Sequence, residues 1–334
     1  LDAPYIGYSG TAMPVMNANT FEGYAGVSGH DDFPVYLGGT SEPVWGTGAN
    51  ANTFTNHTHP AIGLGGQWCA SFTHSPTVWR RVVGEDSAIF PYVVLDLLEQ
   101  DWNSVIQIPA DTIVKVDYDE VLHIYGLLDF ESYANHPIVF TAYTDDTYAG
   151  DTNADGGATQ PYAGYWDAIW FSDTPGKVNN VHHLIVKYAT GGVAYYYAGL
   201  PNEHINPQIT DSTFADNWVG MVLAIGRNGR GNINAGLTNL LFDHNYYDLT
   251  TFAVKDSGTP PNRSTTTGVS IPTLTNVTFQ DTYYYPIFLG GTAFPQFVGG
   301  NLMTNVGSQL SDQNIESLPV PTLDAPDFDL PGVQ

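Results

Sequence analysis

Residues 237–242 read L-T-N-L-L-F, and residues 274–279 read L-T-N-V-T-F. Three further segments between residues 183 and 305 share this outline, in which a large residue follows the segment start by five positions. These three begin at His183, Ile209 and Phe297, and the ends of all five segments are Tyr188, Phe214, Phe242, Phe279 and Leu302. Successive ends are 26, 28, 37 and 23 residues apart. Self-similarity at such a period is typical of stacked supersecondary units.

A turn residue recurs together with this core residue. Asn follows the segment end by three positions at Asn217, Asn245 and Asn305, and Thr282 and Gly191 fill the other two places. Each unit predicts a strand, a turn and a second strand, since no unit shows the apolar spacing of a helix. We predict a solenoid in which Phe stacks on Phe and Asn amides stack at a bend with left-handed backbone. An ordinary β-sandwich is the alternative, because its strands also alternate.

Composition supports strands and turns. Of the 334 residues only 13% are charged and another 13% are aromatic, with 21 Tyr, 35 Gly and 22 Pro. The formal net charge of −25 argues against nucleic acid and anionic membrane surfaces as partners and suits cation binding. No stretch approaches the roughly 20 apolar residues that span a bilayer. Leu1 is expected to be a processed end, and the single Cys69 excludes an internal disulfide framework.

The chain divides into three regions by composition. Residues 1–88 are rich in Gly, Asn and Thr and predict a loop-rich β region or cap, with His57 and His59 in a surface loop rather than a metal site. Residues 89–310 are strand-like. Residues 311–334 form a tail whose four Pro residues bar a helix, yet the tail is more apolar than a mere linker.

Several segments carry a resemblance to a known family. Residues 108–116 read I-P-A-D-T-I-V-K-V, residues 122–128 L-H-I-Y-G-L-L, residues 137–141 P-I-V-F-T, residues 164–171 G-Y-W-D-A-I-W-F, and residues 182–189 H-H-L-I-V-K-Y-A. Over residues 89–310 the chain resembles secreted, pectate-lyase-like proteins with a right-handed parallel β-helix. It departs from them at Ala110, where the family usually has Gly, and in an insertion after Lys255. The resemblance implies that fold and an extracellular setting, but no single activity.

One loop predicts a calcium site. Residues 145–156 read D-D-T-Y-A-G-D-T-N-A-D-G, in which Asp151, Asn153 and Asp155 have the one-three-five spacing of a calcium loop. Asp145 and Asp146 would complete the oxygen shell. The position where an EF-hand has Glu is Tyr162, so the loop is not an EF-hand. A solvated Asp/Asn turn is the alternative.

Candidates for catalysis are weaker. Arg227 and Arg230 in R-N-G-R-G-N would give a basic spot for acidic sugars, with a surface turn as the alternative. The acidic residues of the repeat are expected to serve turns rather than to form a glycosidase pair, and they are Asp211, Asp216, Asp243, Asp248 and Asp281. The sequence shows no P-loop, dinucleotide fingerprint, nucleophile elbow or zinc pattern. We therefore expect no hydrolase or lyase activity.

The leading functional prediction is an extracellular structural protein that assembles with copies of itself into a filament or surface layer. The terminal rungs of a solenoid expose unpaired backbone, and the apolar tail needs a groove, so both are expected contacts between copies. A polysaccharide lyase or glycosidase is one alternative. A glycan-binding adhesin that stacks Tyr195, Tyr196 and Tyr197 on sugars is the other.

Overall fold

A computed structural model describes residues 12–23, 33–39, 41–68, 76–84, 88–197, 199–200, 203–225, 231–253, 268–291 and 293–307. Cys69, Arg227, Arg230, most of the insertion after Lys255 and the tail 311–334 lie outside the described residues. In the described part of the chain, helix is limited to the 3-10 turn Gly48–Asn50. The protein is all-β.

Thirty strands make up the described chain. They are β1 Val15–Met16, β2 Thr20–Glu22, β3 Val35–Gly38, β4 Val44–Trp45, β5 Thr53–Thr55, β6 Ile62–Trp68, β7 Thr77–Val78, β8 Tyr92–Gln100, β9 Val105–Ile108, β10 Ile113–Val116, β11 Leu122–Ile124, β12 Leu127–Phe130, β13 Ile138–Ala142, β14 Trp166–Phe171 and β15 Val181–His182. They continue with β16 Leu184–Lys187, β17 Ala189–Tyr197, β18 His204–Ile205, β19 Gln208–Thr210, β20 Thr213–Ala215, β21 Val219–Ile225, β22 Asn232–Ile233, β23 Gly236–Thr238, β24 Leu241–Asp243, β25 Tyr247–Ala253, β26 Thr273–Thr275, β27 Thr278–Gln280, β28 Tyr285–Gly291, β29 Gln296–Phe297 and β30 Leu302–Thr304.

These strands pair in parallel, and 16 of them form one large sheet. β8 joins two arms of this sheet, since its first residues pair with β10 and its last residues pair with β11. The first arm continues in the order β11, β14, β17, β21, β25 and β28, and the second in the order β10, β13, β16, β20, β24, β27 and β30. A separate five-stranded sheet has the order β15, β19, β23, β26 and β29 and is called the third sheet below.

The chain visits the three surfaces in a fixed order. It passes through β19, β20 and β21, then β23, β24 and β25, then β26, β27 and β28, and each strand pairs with its equivalent one repeat later. Phe214 pairs with Phe242 after 28 residues, and Phe242 pairs with Phe279 after 37 residues. The predicted strand-turn-strand unit is confirmed for the four later repeat segments, because each of them places one short strand in the third sheet and the next in the second arm.

The predicted Phe stack is confirmed for three of its four members. Phe214, Phe242 and Phe279 are completely buried, and their ring centroids are 5.2 Å and 5.3 Å apart in near-parallel planes. The placement of Tyr188 in this stack is wrong, because Val186 pairs with Phe214. Tyr188 instead stands at the next bend with a φ of +64° and is only partly buried. The last repeat is also displaced by one position, since Met303 rather than Leu302 pairs with Phe279.

The predicted Asn stack is confirmed at Asn217 and Asn245, which are both completely buried. Asn245 Oδ1 accepts hydrogen bonds from the backbone N–H of Asn217 at 2.9 Å and from its Nδ2 at 3.0 Å. Asn217 Oδ1 in turn accepts from the N–H of Ala189, so Ala189 rather than Gly191 lies on this bend in the preceding repeat. Each amide therefore satisfies backbone groups that would otherwise be buried without partners.

Left-handed backbone occurs at two columns of residues, immediately beside the Asn stack rather than on it. One column comprises His183, Asp211, Asn239 and Asn276, and the other comprises Tyr188, Asp216, His244, Asp281 and Asn305, all with φ between +49° and +64°. Short polar residues tolerate this conformation best, since their side chains can bond locally. Asn305 belongs to the second column and donates to Asp281 Oδ1 at 3.0 Å, so it does not continue the stack of Asn217 and Asn245.

The N-terminal region continues the same parallel pairing. β6 pairs with β8 over most of its length, and β7 pairs with β9. Phe21 and Phe54 form another ring stack with centroids 4.8 Å apart. The predicted surface loop is wrong for His59, which is buried and contacts the carbonyl oxygen of Thr152 through Nδ1 at 3.0 Å.

Candidate functional site

The acidic loop, residues 145–156, leaves the second arm after β13 and is held against the body of the protein. Its anchor is Thr152, whose carbonyl oxygen accepts a hydrogen bond from the hydroxyl of Tyr143 at 3.1 Å and contacts His59. Tyr143, His59 and Thr152 are all buried. The loop therefore rests on residues from both the N-terminal region and the second arm.

Four of the five predicted calcium ligands come together, and the fourth, Asn153, donates from Nδ2 to Asp155 Oδ2 at 3.0 Å. One carboxylate oxygen from each of Asp146, Asp151 and Asp155 lies within 4.8 Å of the other two. Asp145 lies apart, because its completely buried carboxylate accepts hydrogen bonds from the hydroxyls of Thr141 and Thr147, each at 2.5 Å. Asp145 thus stabilises the start of the loop through these hydrogen bonds and is not one of the clustered carboxylates.

Backbone N–H groups of the loop and of the residues that follow it donate hydrogen bonds to the loop's own carboxylates. Asp151 accepts hydrogen bonds from the N–H groups of Asp155 at 3.1 Å and Gly156 at 2.9 Å. Asp155 accepts from the side chain and N–H of Thr159 and from the N–H groups of Gly157 and Ala158, and these bonds hold its pKa below the ordinary value. A network of this kind fixes the positions of both carboxylates.

Two oxygen atoms of the loop remain without partners. Asp146 Oδ1 and Asn153 Oδ1 are inaccessible to solvent and make no hydrogen bond within the described residues. Burial, and then the charge of Asp151, raise the pKa of Asp146, while Lys115 opposes that rise. Buried acceptors without donors are costly, and a hard cation would satisfy them.

Lys115 supplies the only positive charge that the described residues place at this loop. Its side chain is completely buried, and Nζ donates a hydrogen bond to the carbonyl oxygen of Gly150 at 2.8 Å. Burial lowers the pKa of Lys115 to about 8, although Asp145, Asp146 and Asp151 favour its charged form. This ammonium offsets part of the acidic charge, and any cation at the loop would bind in its presence.

A second feature is the outer aromatic face, which we define by Trp218, Tyr246, Tyr247, Tyr283 and Tyr284 on the solvent side of the first arm. Trp218 stacks on Tyr246 with ring centroids 4.4 Å apart, and Tyr246 lies 4.9 Å from Tyr283. Trp218 and Tyr283 are exposed. The residues recur because each repeat returns a ring to the same side of the arm.

This face differs from the predicted aromatic site. Tyr195 and Tyr197 are buried in the core, and the hydroxyl of Tyr195 donates to the carbonyl oxygen of Asn179 at 2.7 Å. The expectation that the three consecutive Tyr residues are exposed is therefore wrong, since strand alternation turns two of them inward. The sequence signal for the outer aromatic face was the repeat interval of 28 residues, which relates Trp218 to Tyr246.

A third feature is the end of the sheets, which we call the C-terminal rung, formed by β28, β29 and β30. Within the described residues these strands pair on one side only. Large apolar side chains are exposed there, namely Phe294 at 67%, Leu302 at 55%, Phe297 at 53%, Val298 at 53% and Met303 at 45%. An apolar edge with unpaired backbone is a template for another strand.

The acidic residues of the repeat serve mainly the bends. Asp211, Asp216 and Asp281 occupy left-handed positions. Asp248 is completely buried and accepts hydrogen bonds from Asn245 and Thr282. Asp243, His244 and Asp281 place one ligand atom each within 4.8 Å of one another, a grouping that single-segment motifs do not reveal.

In comparisons with protein-family models, curated proteins and solved structures, nothing matched this chain. In the part of the chain that the structure describes, no helix has the length and apolarity needed to cross a membrane.

Proposed function

We propose that this protein is an extracellular structural protein, a right-handed parallel β-helix that polymerises end to end. The fixed order in which the chain visits the two arms and the third sheet supports a helix, and crossovers between parallel strands are right-handed in about 98% of cases. The extracellular setting follows from the family resemblance described above.

The observation that carries the assembly is the C-terminal rung. Its exposed apolar side chains and its unpaired strand edges lie together. At the opposite end, β3 pairs on one side only within the described strands. A contact between these two different ends is heterologous and leaves a free end on each copy, so it propagates into a filament.

Electron microscopy and light scattering of the full chain test this proposal. Filaments are expected for the unaltered protein, and M303K placed on the exposed edge should raise the concentration at which they form at least tenfold. Y133K is the control, because Tyr133 is also exposed, at 54% against 45% for Met303, but lies on a lateral turn. A protein that stays monomeric at all concentrations, or an equal effect of both variants, would overturn the proposal.

Calcium is proposed as the ligand of the acidic loop, with Asp146, Asp151, Asp155 and Asn153 as the oxygen donors. The two unpartnered buried oxygen atoms support this assignment. A ligand of the native state stabilises it by mass action, so Ca²⁺ should raise the melting temperature and a chelator should lower it. D146N should abolish the difference, whereas D129N, at an exposed site elsewhere, should preserve it. Identical melting curves with calcium and with chelator would remove calcium from this loop.

Glycan binding is a second candidate function, favoured by the outer aromatic face. Its stacked rings combine flat apolar surfaces with hydroxyl groups, which suits contact with a polysaccharide. Binding to insoluble polysaccharides should fall at least tenfold in W218A. Y133A, at an exposed Tyr away from this face, should bind like the unaltered protein. Equal binding by both variants would exclude the aromatic face as the glycan site.

A further inference from the structure

A cavity of about 650 Å³ opens in the N-terminal region, where the stack of strands is interrupted. β4 pairs with β1, β5 pairs with β2, and β7 pairs with β9, but no pairing among the described strands joins β5 to β7. The cavity lies in this gap. Its volume falls within the range of about 300–1,000 Å³ that is usual for ligand sites.

The walls of this cavity are apolar. Trp45, Phe54, Val78, Val82 and Pro109 are among the residues that line it. Phe54 and Val82 are buried, while Trp45 is partly buried and packs against the hydrophobic core. An apolar ligand surface would therefore gain by displacing water from the gap.

Two adjacent arginines line the same cavity. Nη2 of Arg80 donates to Oε1 of Glu42 at 2.5 Å, but Nε of Arg80 is buried and has no hydrogen-bond partner among the described residues. Arg81 is exposed and forms no ion pair within the described part of the chain. Glu42 neutralises Arg80, so Arg81 carries the unpaired positive charge among the described residues that line the cavity. The cavity fits a ligand that is both apolar and anionic.

We propose that the occupant is the C-terminal segment of a second copy of this chain, an inference that rests on the proposed end-to-end assembly. Residues 311–334 contain five acidic and no basic side chains together with apolar residues. Residues 327–330 read D-F-D-L between Pro326 and Pro331. The flanking prolines favour extended backbone, which can add to a strand edge, while Phe328 and Leu330 fill the cavity and Asp327 and Asp329 pair with the arginines.

The distance between the end of the described chain and the cavity favours docking of the tail into a neighbouring copy over docking into its own chain. The described chain ends at Gly307, beside the C-terminal rung, whereas the cavity lies among the first strands. A neighbour stacked on that rung brings its cavity within two or three strand spacings, or about 10–15 Å. Along the second arm β6 is seven strand positions back from β27, so the chain's own cavity lies about 34 Å from the C-terminal rung, and a return would use about ten residues of the tail.

Charge-swapped full-length chains test this assignment. R81E makes the cavity acidic, and the paired change D327K and D329K makes the tail basic. Each variant alone should require at least tenfold more protein to form filaments, because cavity and tail then carry the same charge. An equimolar mixture should recover filaments, since both of its mixed junctions join opposite charges. R81Q controls for loss of the arginine alone, and matching thermal melts establish that the variants fold.

The outcomes separate the alternatives. Recovery in the mixture supports docking between copies. If a chain carrying all three changes recovers assembly but the mixture does not, the tail occupies its own cavity and the proposal is overturned. If R81E polymerises like the unaltered protein, the cavity has no part in the junction, although assembly through the strand edges stands. If the unaltered protein never polymerises, the proposed function itself fails.

Discussion

Asp248→Asn should stabilise this protein at neutral pH. The Asp248 carboxyl is completely buried, and burial raises its pKa to about 7, although hydrogen bonds from Thr282 and Asn245 oppose that rise. Asn has almost the same shape. Its carbonyl oxygen can accept from Asn245, and its amide can donate to the hydroxyl of Thr282, so both contacts survive without a buried charge.

The magnitude follows from linkage between protonation and folding. The unfolded carboxyl ionises near its ordinary value of 3.8, whereas the folded one holds its proton up to about pH 7. Between these values the native state binds more protons, so this group contributes stability at low pH that is lost as pH rises towards 7. Full ionisation costs about 4 kcal/mol on this basis, and we expect a measured gain of about 2–4 kcal/mol for the variant at pH 8.

Urea unfolding followed by tryptophan fluorescence at pH 4, 6 and 8 measures this effect. The variant should match the unaltered protein at pH 4 and exceed it increasingly at pH 6 and 8. Asp129→Asn is the control, because Asp129 is exposed and its replacement should change little at any pH. If D248N is less stable at pH 8, or if its effect does not vary with pH, the buried carboxyl is not the costly group inferred here.

Two further substitutions test the bends and the core by the same unfolding assay. Asn245→Ala should cost about 3–5 kcal/mol, since it leaves the buried backbone N–H of Asn217 and one hydrogen of its side-chain amide without an acceptor, while the other hydrogen still bonds to the carbonyl oxygen of Val186. Asn239→Ala, at an exposed position with left-handed backbone, should cost only about 1–2 kcal/mol. Phe242→Ala should also cost about 3–5 kcal/mol of unfolding free energy, because it opens a cavity between two stacked rings. Leu289→Ala, at the exposed end of the sheet, is the control and should change the unfolding free energy little. Similar losses for both variants would contradict the internal stack.

The repeat was visible in the sequence because the core residue and the bend residue recur together. Phe214, Phe242 and Asn245 could be placed from spacing alone, and their contacts are as predicted. The first repeat was misplaced because Tyr188 satisfied the outline of a large residue, whereas the register depends on Val186. A sequence pattern that records only side-chain size cannot show whether a β-branched residue or the aromatic residue two positions later points into the core.

The acidic loop was predictable only in part. The proximity of Asp151 and Asp155 follows from their spacing, and Asp146 joins them. The turning of Asp145 towards Thr141 and the burial of Lys115 beneath the loop depend on contacts with the second arm. Contacts between strands that are distant in sequence are set by tertiary packing, which local motifs do not encode.

The unequal repeat lengths have a consequence for how this protein can change over time. Ile225 pairs with Ala253 after 28 residues, but Gly236 pairs with Thr273 after 37, so nine additional residues enter at the corner between β25 and β26. No strand on either side shifts its register. Because lengthening a loop costs little free energy, this corner can tolerate insertions and deletions that would disrupt the pairing register inside a strand. It is therefore the position where a foreign peptide can be inserted for display, one copy on every molecule.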